Sequence, residues 1–153
     1  ARQEFICTLR GSVYFNAEQH EQGNRSFEGR TDGFITYPTL DMTFAATDPR
    51  YCGCGYLSVL RYYMYVLHRH SVRSITGQVV KNSILHNTLS NLGYAFWENT
   101  EPPSELAPID KVLLAVLDQD KFDLAISLLK AKHGQLIAGH PLFPDLRSAA
   151  SVA

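Results

Sequence analysis

The stretch Asp48-Pro49-Arg50-Tyr51-Cys52-Gly53-Cys54-Gly55 leads directly into an apolar run at residues 56–67. One proline and two glycines in eight residues indicate a tight turn. The run that follows has apolar side chains at helical spacing, and this pattern predicts an amphipathic helix. The stripe consists of Leu57, Leu60, Tyr63, Met64 and Leu67. Because neighbouring positions are apolar as well, we expect this helix to be buried on most sides.

Length and composition limit the classes of protein to consider. The chain has 153 residues, 45% of them hydrophobic and 19% charged, which suits one domain with a real core. The formal net charge is -1, so no basic surplus is present to neutralise nucleic acid. No segment has the apolar length needed to cross a bilayer. We therefore expect neither a nucleic acid nor a membrane as partner.

Three cysteines, Cys7, Cys52 and Cys54, are too few and too unevenly spaced for a disulfide framework. Their number favours a reducing, intracellular compartment, which predicts a cytoplasmic protein.

The first third of the chain has the composition of β-structure. Short runs of β-branched and aromatic residues predict four strands, at residues 5–9, 12–16, 34–37 and 42–45. Between them, residues 17–33 are polar and contain three glycines, so this segment is predicted to be a long exposed loop.

The remainder of the chain is predicted to be mainly helical. Helices are expected at residues 78–92, 109–117 and 121–132, with short strands at 94–97 and 135–138. Residues 99–108 contain three prolines and are predicted to be a linker, and thus a possible sub-boundary within a single domain spanning residues 1–153. These elements predict an α+β fold with a small antiparallel sheet from the N-terminal part and a helical C-terminal part packed around the helix at 56–67.

A cysteine placed where a glycine turn meets a helix has a chemical use. The N-terminus of a helix carries partial positive charge and unpaired amides, which lower the pKa of a nearby thiol. The thiolate is then a nucleophile, and the same amides can receive a developing oxyanion.

The residues Asp48-Pro49-Arg50-Tyr51-Cys52-Gly53, followed by Leu57-Ser58-Val59-Leu60, resemble the nucleophile turn of papain-like cysteine peptidases of the phytochelatin-synthase-like and C39-like type. The resemblance covers residues 48–63. It implies a papain-like cysteine hydrolase or acyltransferase that acts on a peptide or isopeptide, with Cys52 as nucleophile on the first turn of the central helix. It implies no cofactor.

A cysteine nucleophile needs a base, and the histidines differ in their suitability. His68 and His70 lie about 24 Å or more from Cys52 if the helix is straight, because a helix rises about 1.5 Å per residue. His86 is predicted mid-helix and His133 at a helix end. His140 is the one histidine beside a strand-like run, with Asp145 shortly after it. The predicted triad is therefore Cys52, His140 as base and Asp145 as orienting group.

Two alternatives remain open from the residues. Cys52, Cys54, His68 and His70 are ligand types suited to structural zinc, although an intact helix would hold the two pairs apart. Tyrosines cluster around the same helix, at Tyr51, Tyr56, Tyr62, Tyr63 and Tyr65. Tyrosine is enriched at interface cores. The chain could thus be a non-catalytic interaction or assembly protein, such as a viral or multi-subunit component, and possibly a homo-oligomer.

Overall fold

The computed structural model describes residues 4–29, 31, 33–98 and 112–139. Within these ranges the chain forms a five-stranded sheet and four α-helices, so the predicted α+β class is confirmed. The strands are β1 (Cys7–Tyr14), β2 (Thr39–Thr47), β3 (Ser74–Val80), β4 (Ala95–Glu98) and β5 (Val112–Asp118). The helices are α1 (Ala17–Gly23), α2 (Tyr56–His68), α3 (Ile84–Leu92) and α4 (Phe122–Gly139).

The sheet has the strand order β1-β2-β3-β5-β4. Three of the four pairings are antiparallel, and β2 with β3 is parallel. A parallel pair needs a crossover connection, which α2 supplies here. The strongest prediction from the sequence, the helix at 56–67, is confirmed and becomes this crossover.

The parallel pair is short. β2 and β3 pair only from Thr39↔Ser74 to Met42↔Gly77. Beyond that point β2 continues beside β1 to Thr47, and β3 continues beside β5 to Val80. The inner edges of the two strands therefore separate halfway along the sheet.

A β-bulge accompanies this separation. Arg10 pairs with Phe44 and Gly11 with Met42, which leaves Thr43 as an extra residue in β2. Bulges bend a strand and increase its local twist. The bulge at Thr43 thus turns β2 away from β3 where their pairing ends.

The two faces of the sheet are covered by different elements. The larger core lies on the face of α2, α3 and α4, and it includes Tyr65, Ile75, Leu117 and Phe122. The smaller core lies on the opposite face, where Leu114 of β5 packs with Phe27 and Ile35. Since side chains alternate along a strand, β5 contributes Leu113 and Leu117 to one core and Leu114 to the other.

The sheet is not confined to the N-terminal part, as had been expected. The predicted helix at 78–92 is wrong in its first half, where β3 ends at Val80 and α3 begins only at Ile84. The predicted helix at 109–117 is wrong over its described residues, which form β5. β5 is buried on both faces. Such a strand has a continuous apolar run that periodicity alone does not separate from a buried helix. In β3, Val79 and Val80 precede the apolar residues of α3 closely enough to extend the helical pattern.

Three smaller expectations also differ from the structure. The segment 135–138, predicted as a strand, belongs to α4, which has a kink with non-helical angles at His133. Residues 34–37, predicted as a strand, lie in the irregular segment before β2. The polar segment 17–33 contains α1, whose N-cap is Asn16. The predicted linker at 99–108 lies outside the described residues.

The tyrosines of α2 lie inside the larger core. Tyr65 is fully buried, and its hydroxyl forms a short hydrogen bond with that of Tyr94, which follows α3. Burial raises the pKa of Tyr65 and raises that of Tyr94 well above the ordinary value, while the charge of Arg61 acts in the opposite direction on both. The two phenols are consequently neutral in the folded protein at ordinary pH.

The raised pKa values predict how stability changes at alkaline pH. The folded protein holds these two protons more tightly than the unfolded chain, so their contribution is constant below the unfolded pKa of about 10. It is lost as the pH rises above that value. We expect the free energy of unfolding to fall more steeply between pH 10 and 11 in the wild type than in a Tyr65→Phe/Tyr94→Phe variant. Urea unfolding across this range measures the difference, and equal slopes would contradict it.

Candidate functional site

The turn before α2 has an unusual backbone conformation. After the short 3-10 helix Pro49–Tyr51, Gly53 has a φ of 80° and Gly55, the N-cap of α2, a φ of 87°. Both values lie in the left-handed region that glycine adopts without steric cost. Alternation between left-handed and ordinary residues turns successive amides toward one side and makes a concave anion site. We call residues 48–55 the glycine loop.

Several amides of this region are not used by the protein itself. The turn bonds of the glycine loop use the amides of Tyr51, Cys52 and Cys54, whereas those of Gly53 and Gly55 have no acceptor among the described residues. No side chain caps α2, so the first amides of this helix are unpaired as well. Space in front of the loop is open, since a methyl group added at Gly53 would meet no atom within 4 Å. The arrangement is typical of a site that binds a phosphate group.

A network of charges holds the first half of the glycine loop. Arg50 donates two hydrogen bonds to the carboxylate of Asp48, at 3.0 Å each, and a third to Glu4 at 2.9 Å. The hydroxyl of Tyr51 donates to the other oxygen of Glu4 at 2.8 Å. Hydrogen bonds from the Arg50 side chain and amide hold the pKa of Asp48 below its ordinary value. Because two carboxylates neutralise Arg50, the backbone amides provide the attraction for an anion.

The second half of the loop rests on α4. A methyl group added to Gly55 would come within 2.8 Å of Nδ1 of His133 and 3.7 Å of Leu136. His133 is the residue at which α4 kinks. Burial and, to a smaller extent, the nearby charge of Lys132 lower the pKa of His133. The imidazole beside the loop is therefore neutral at neutral pH and acts as a packing surface.

A cleft opens where β2 and β3 separate. It has a volume of about 260 Å³ and passes between the inner edges of the two strands. Its walls include residues 42–45 of β2 and residues 76–78 of β3, with Leu85 and Leu89 of α3 on one face of the sheet. β2 leads from the cleft to the glycine loop, since Ala45 lines the cleft and Asp48, three residues later, begins the loop.

Arg61 of α2 also lines this cleft. It is only 5% exposed, and its buried Nε has no hydrogen-bond partner. The buried carboxylate of Asp41 lies on the opposite face of the sheet, beside the cleft residues Asn24 and Thr76. This carboxylate accepts hydrogen bonds from Asn24 at 2.9 Å and Thr76 at 3.0 Å, and Nε2 of His20 lies 3.6 Å away.

The structure places the predicted nucleophile in the loop. Cys52 is exposed and lies four residues before α2, not on its first turn as the resemblance implied. Its thiol contacts the carbonyl oxygen of Asp48 at 3.8 Å. Within the described ranges neither Cys52 nor Cys54 forms a hydrogen bond with a histidine. The predicted base His140 and orienting residue Asp145 lie outside the described residues, so the predicted triad remains a prediction.

The other histidines have structural roles. His68 donates from Nδ1 to the carbonyl of Met64 at 2.9 Å, at the far end of α2. His86 lies in the first turn of α3, where its amide donates to Ser83 and its Nδ1 accepts from the amide of Asn82. His20 is fully buried between Tyr14 and Phe27. Over the described part of the chain, no cluster of three or more metal-ligating side chains forms.

The tyrosine stripe does not face outward. Tyr62, Tyr63 and Tyr65 are at most 3% exposed and belong to the core of this chain. The physical reason is the position of α2, which lies between the sheet and α4. The tyrosines that were expected to form an interface on this helix are therefore not accessible to a partner.

The residues that sequence reasoning missed are Arg61, Asp41 and the amides of the glycine loop. The glycines Gly53 and Gly55 directly before a helix were a readable signal for a turn whose amides bind an anion. The helix α1, which carries His20, also had a signal. Its N-cap Asn16 accepts from the amide of Gln19, and the Gln19 side chain accepts from the amide of Phe15, an arrangement close to a capping box. No local pattern identifies Arg61, because its burial depends on strands distant in the sequence.

Comparison with protein-family models gives no match, and neither does comparison with curated proteins. Among the helices of the described ranges, none has the length and hydropathy needed to cross a membrane. The proposals below accordingly rest on the geometry of the glycine loop and the cleft.

The contrast between the two loop glycines leads to a prediction about stability. Gly53→Ala places a side chain in open space and costs only the left-handed strain, roughly 1–2 kcal/mol. Gly55→Ala incurs the same strain and also collides with His133, so we expect a distinctly larger loss in the free energy of unfolding. A Gly55→Ala/His133→Ala variant should recover part of that loss relative to His133→Ala alone. Urea denaturation measures all four variants, and equal losses for the two glycine substitutions would refute the packing described for Gly55.

Proposed function

We propose that the protein binds coenzyme A through the glycine loop and catalyses transfer of an acyl group from its thioester to an acceptor amine or hydroxyl. The observation that carries this proposal is that one strand, β2, connects two features. It forms one edge of the cleft and leads into the loop whose free amides form an anion site at the start of α2.

The glycine loop favours the phosphate part of such a ligand. Left-handed glycines at positions 53 and 55 leave their amides without acceptors, and the dipole of α2 adds positive potential at the same point. Interaction of an anion with a helix N-terminus is worth about 0.3–1 kcal/mol at a surface and up to about 2 kcal/mol when partly buried. Several amides acting together suit a diphosphate better than a single charge.

The cleft favours an extended arm that carries amides. Past Met42 and Gly77 the inner edges of β2 and β3 face each other without pairing. Such edges offer backbone donors and acceptors to an inserted extended chain, as in β-strand addition. Coenzyme A combines a diphosphate with an extended arm containing two amides and ending in a thiol. A dinucleotide also supplies a diphosphate, but its second half is a ring system and not an amide-bearing arm.

The two faces of the cleft suit the two reactants. The arm would enter along the α2 and α3 face, where Leu85, Leu89 and Met42 provide apolar contacts. The opposite face is polar, with Asn24, Thr76 and Gln78 at its wall, and it suits an acceptor with hydrogen-bonding groups. Bound in this way, coenzyme A would supply an acyl group activated as a thioester. The chain would bring the two reactants together, which is itself a large part of catalysis.

A single backbone amide can be removed to test this proposal. Tyr56 is the first residue of α2, a position where proline lacks the donor and also disfavours the ψ of 1° that Gly55 has in the loop, so the substitution acts on the anion site in two ways. We expect wild-type protein to bind coenzyme A more tightly than it binds ADP or pantetheine. We expect Tyr56→Pro to bind coenzyme A about tenfold more weakly than Tyr56→Ala, because one charge-assisted hydrogen bond is lost.

Isothermal titration calorimetry gives these affinities, and Tyr56→Ala controls for the lost side chain. Circular dichroism establishes that both variants are folded. Equal affinities of the two variants, or no binding of coenzyme A by the wild type, would reject the proposal.

The second candidate is the cysteine hydrolase or acyltransferase implied by the family resemblance. Its support is the exposure of the Cys52 and Cys54 thiols in a loop with unpaired amides, since amides at a helix N-terminus stabilise a thiolate. In that mechanism the thiol of Cys52 attacks a carbonyl carbon, and the departing amine takes up the thiol proton through a base.

Iodoacetamide labelling followed by mass spectrometry separates the two candidates. If the amides hold coenzyme A, we expect saturating coenzyme A to slow the labelling of Cys52 and Cys54 severalfold, with Cys7 as the internal control. If Cys52 is the nucleophile, its labelling at neutral pH should be much faster than that of Cys54, and Cys52→Ser should abolish hydrolysis or transfer. Labelling of Cys52 and Cys54 at the same rate, unaffected by coenzyme A, would count against both.

A further inference from the structure

We propose that Arg61 binds a carboxylate that one of the two reactants carries into the cleft between β2 and β3. This inference rests on the proposed function, since it identifies the chemical class of the substrate. It starts from an arginine that is 95% withdrawn from solvent, lines the cleft and has an unpaired Nε.

A buried guanidinium without an anion is costly. Arginine stays protonated under all ordinary conditions, so Arg61 cannot neutralise itself as a buried lysine or histidine can. Over the described ranges no carboxylate forms an ion pair with it, and the ion pairs found there involve other residues. Buried charges in proteins are normally paired with an opposite charge. The unpaired guanidinium of Arg61 is therefore a candidate binding site for an anionic ligand.

The neighbours of Arg61 do not supply that anion. Its charge acts on Tyr65 and Tyr94, but burial keeps both phenols neutral. Their hydroxyls bond to each other, and the hydroxyl of Tyr65 also has a hydrogen bond with the Arg61 side chain, which leaves the guanidinium without a counter-charge. The buried carboxylate of Asp41 is satisfied on the other face by Asn24 and Thr76. The positive charge thus remains available to a ligand.

The surroundings define the kind of anion. The guanidinium presents Nε and a terminal nitrogen as a planar fork, which matches the two oxygens of a carboxylate. Apolar side chains of Met42, Leu85 and Leu89 line the same cleft, and its volume of about 260 Å³ suits a short chain. A carboxylate on a short aliphatic chain fits both features.

Two reactants could carry this carboxylate. The acyl group could be a dicarboxylic half-thioester such as succinyl, or the acceptor could be an amino acid. In either case the transfer is balanced in the same way. The acceptor nitrogen or oxygen forms a bond to the thioester carbon, the carbon–sulfur bond breaks, and the acceptor proton passes to the departing thiolate or to solvent. The carboxylate at Arg61 takes no part in these bonds and acts by orientation.

Binding measurements with pairs of ligands that differ only in a carboxylate show whether the acyl donor or the acceptor carries the group that binds Arg61. In the donor arm, calorimetry compares succinyl-coenzyme A with acetyl-coenzyme A. In the acceptor arm, it compares glutamate with glutaminamide, in which both carboxylates are replaced by amides, in the presence of coenzyme A. We expect the carboxylate form to bind about tenfold or more tightly in one arm. We also expect Arg61→Gln to remove that preference. Arg61→Lys should weaken it, because lysine keeps the charge but lacks the two parallel N–H donors of the guanidinium.

Arg73→Gln, at an exposed position, is the matched control and should keep the preference.

A third measurement does not depend on coenzyme A. Free succinate should raise the melting temperature of the wild type more than neutral succinamide does, and Arg61→Gln should lose this difference. If coenzyme A fails to bind while succinate still stabilises through Arg61, the proposed function fails and the carboxylate site stands. If neither arm shows a preference and succinate has no effect, Arg61 only supports the tyrosine pair and the inference is overturned. Should Arg61→Gln not fold, Arg61→Lys takes its place, and a preference that is unchanged in Arg61→Lys would overturn the inference.

Discussion

The parallel pairing of β2 with β3 ends after four residues, and the rest of the candidate site depends on that ending. Two strands held side by side along their full length would leave no cleft. Here each strand keeps a different outer neighbour, since β1 holds β2 and β5 holds β3. The extra residue Thr43 bends β2 at the point of separation. The unpaired inner edges would cost free energy if they were sealed from water, so an opening that admits solvent or a ligand is the consistent arrangement.

Hydrogen bonds between side chains reinforce the short paired segment from one face. Ser74 donates to Thr39 at 2.7 Å, Thr39 contacts the carbonyl of Ser74, and Thr76 donates to Asp41 at 3.0 Å. All four residues are buried. Polar groups that are buried and fully paired rigidify a structure, and these groups lie across the two strands just before they diverge. The polar ladder therefore fixes where the cleft begins, and Arg61 lines the cleft from the opposite face.

The sequence predicts some of this structure well and some of it badly, for physical reasons. The helix α2 was predictable because its signal is local, with glycines before it and a helical stripe along it. The strand β5 was not, because the run 113–117 is apolar and buried on both faces and no period distinguishes it from a buried helix. The end of β3 was not, because Val79 and Val80 continue the apolar pattern of the helix that follows. In the site, the glycines could be recognised from spacing, but the two cysteines between them suggested nucleophilic chemistry instead. Arg61 could not be recognised, because only the assembled sheet shows that its side chain is buried without a counter-charge.

The glycine loop is held from both sides before any ligand arrives. Arg50 and Tyr51 tie its beginning to Glu4, a residue that precedes β1. Its end lies against the kink of α4 at His133, which is neutral and leaves no room for a side chain at Gly55. A loop fixed at both ends loses little conformational entropy on binding, and this preorganisation increases affinity. The same contacts explain why glycine is needed at position 55 for packing and at position 53 only for its backbone angle. The loop is therefore a rigid frame of amides, and its chemistry depends first on the backbone and only then on the cysteines that it carries.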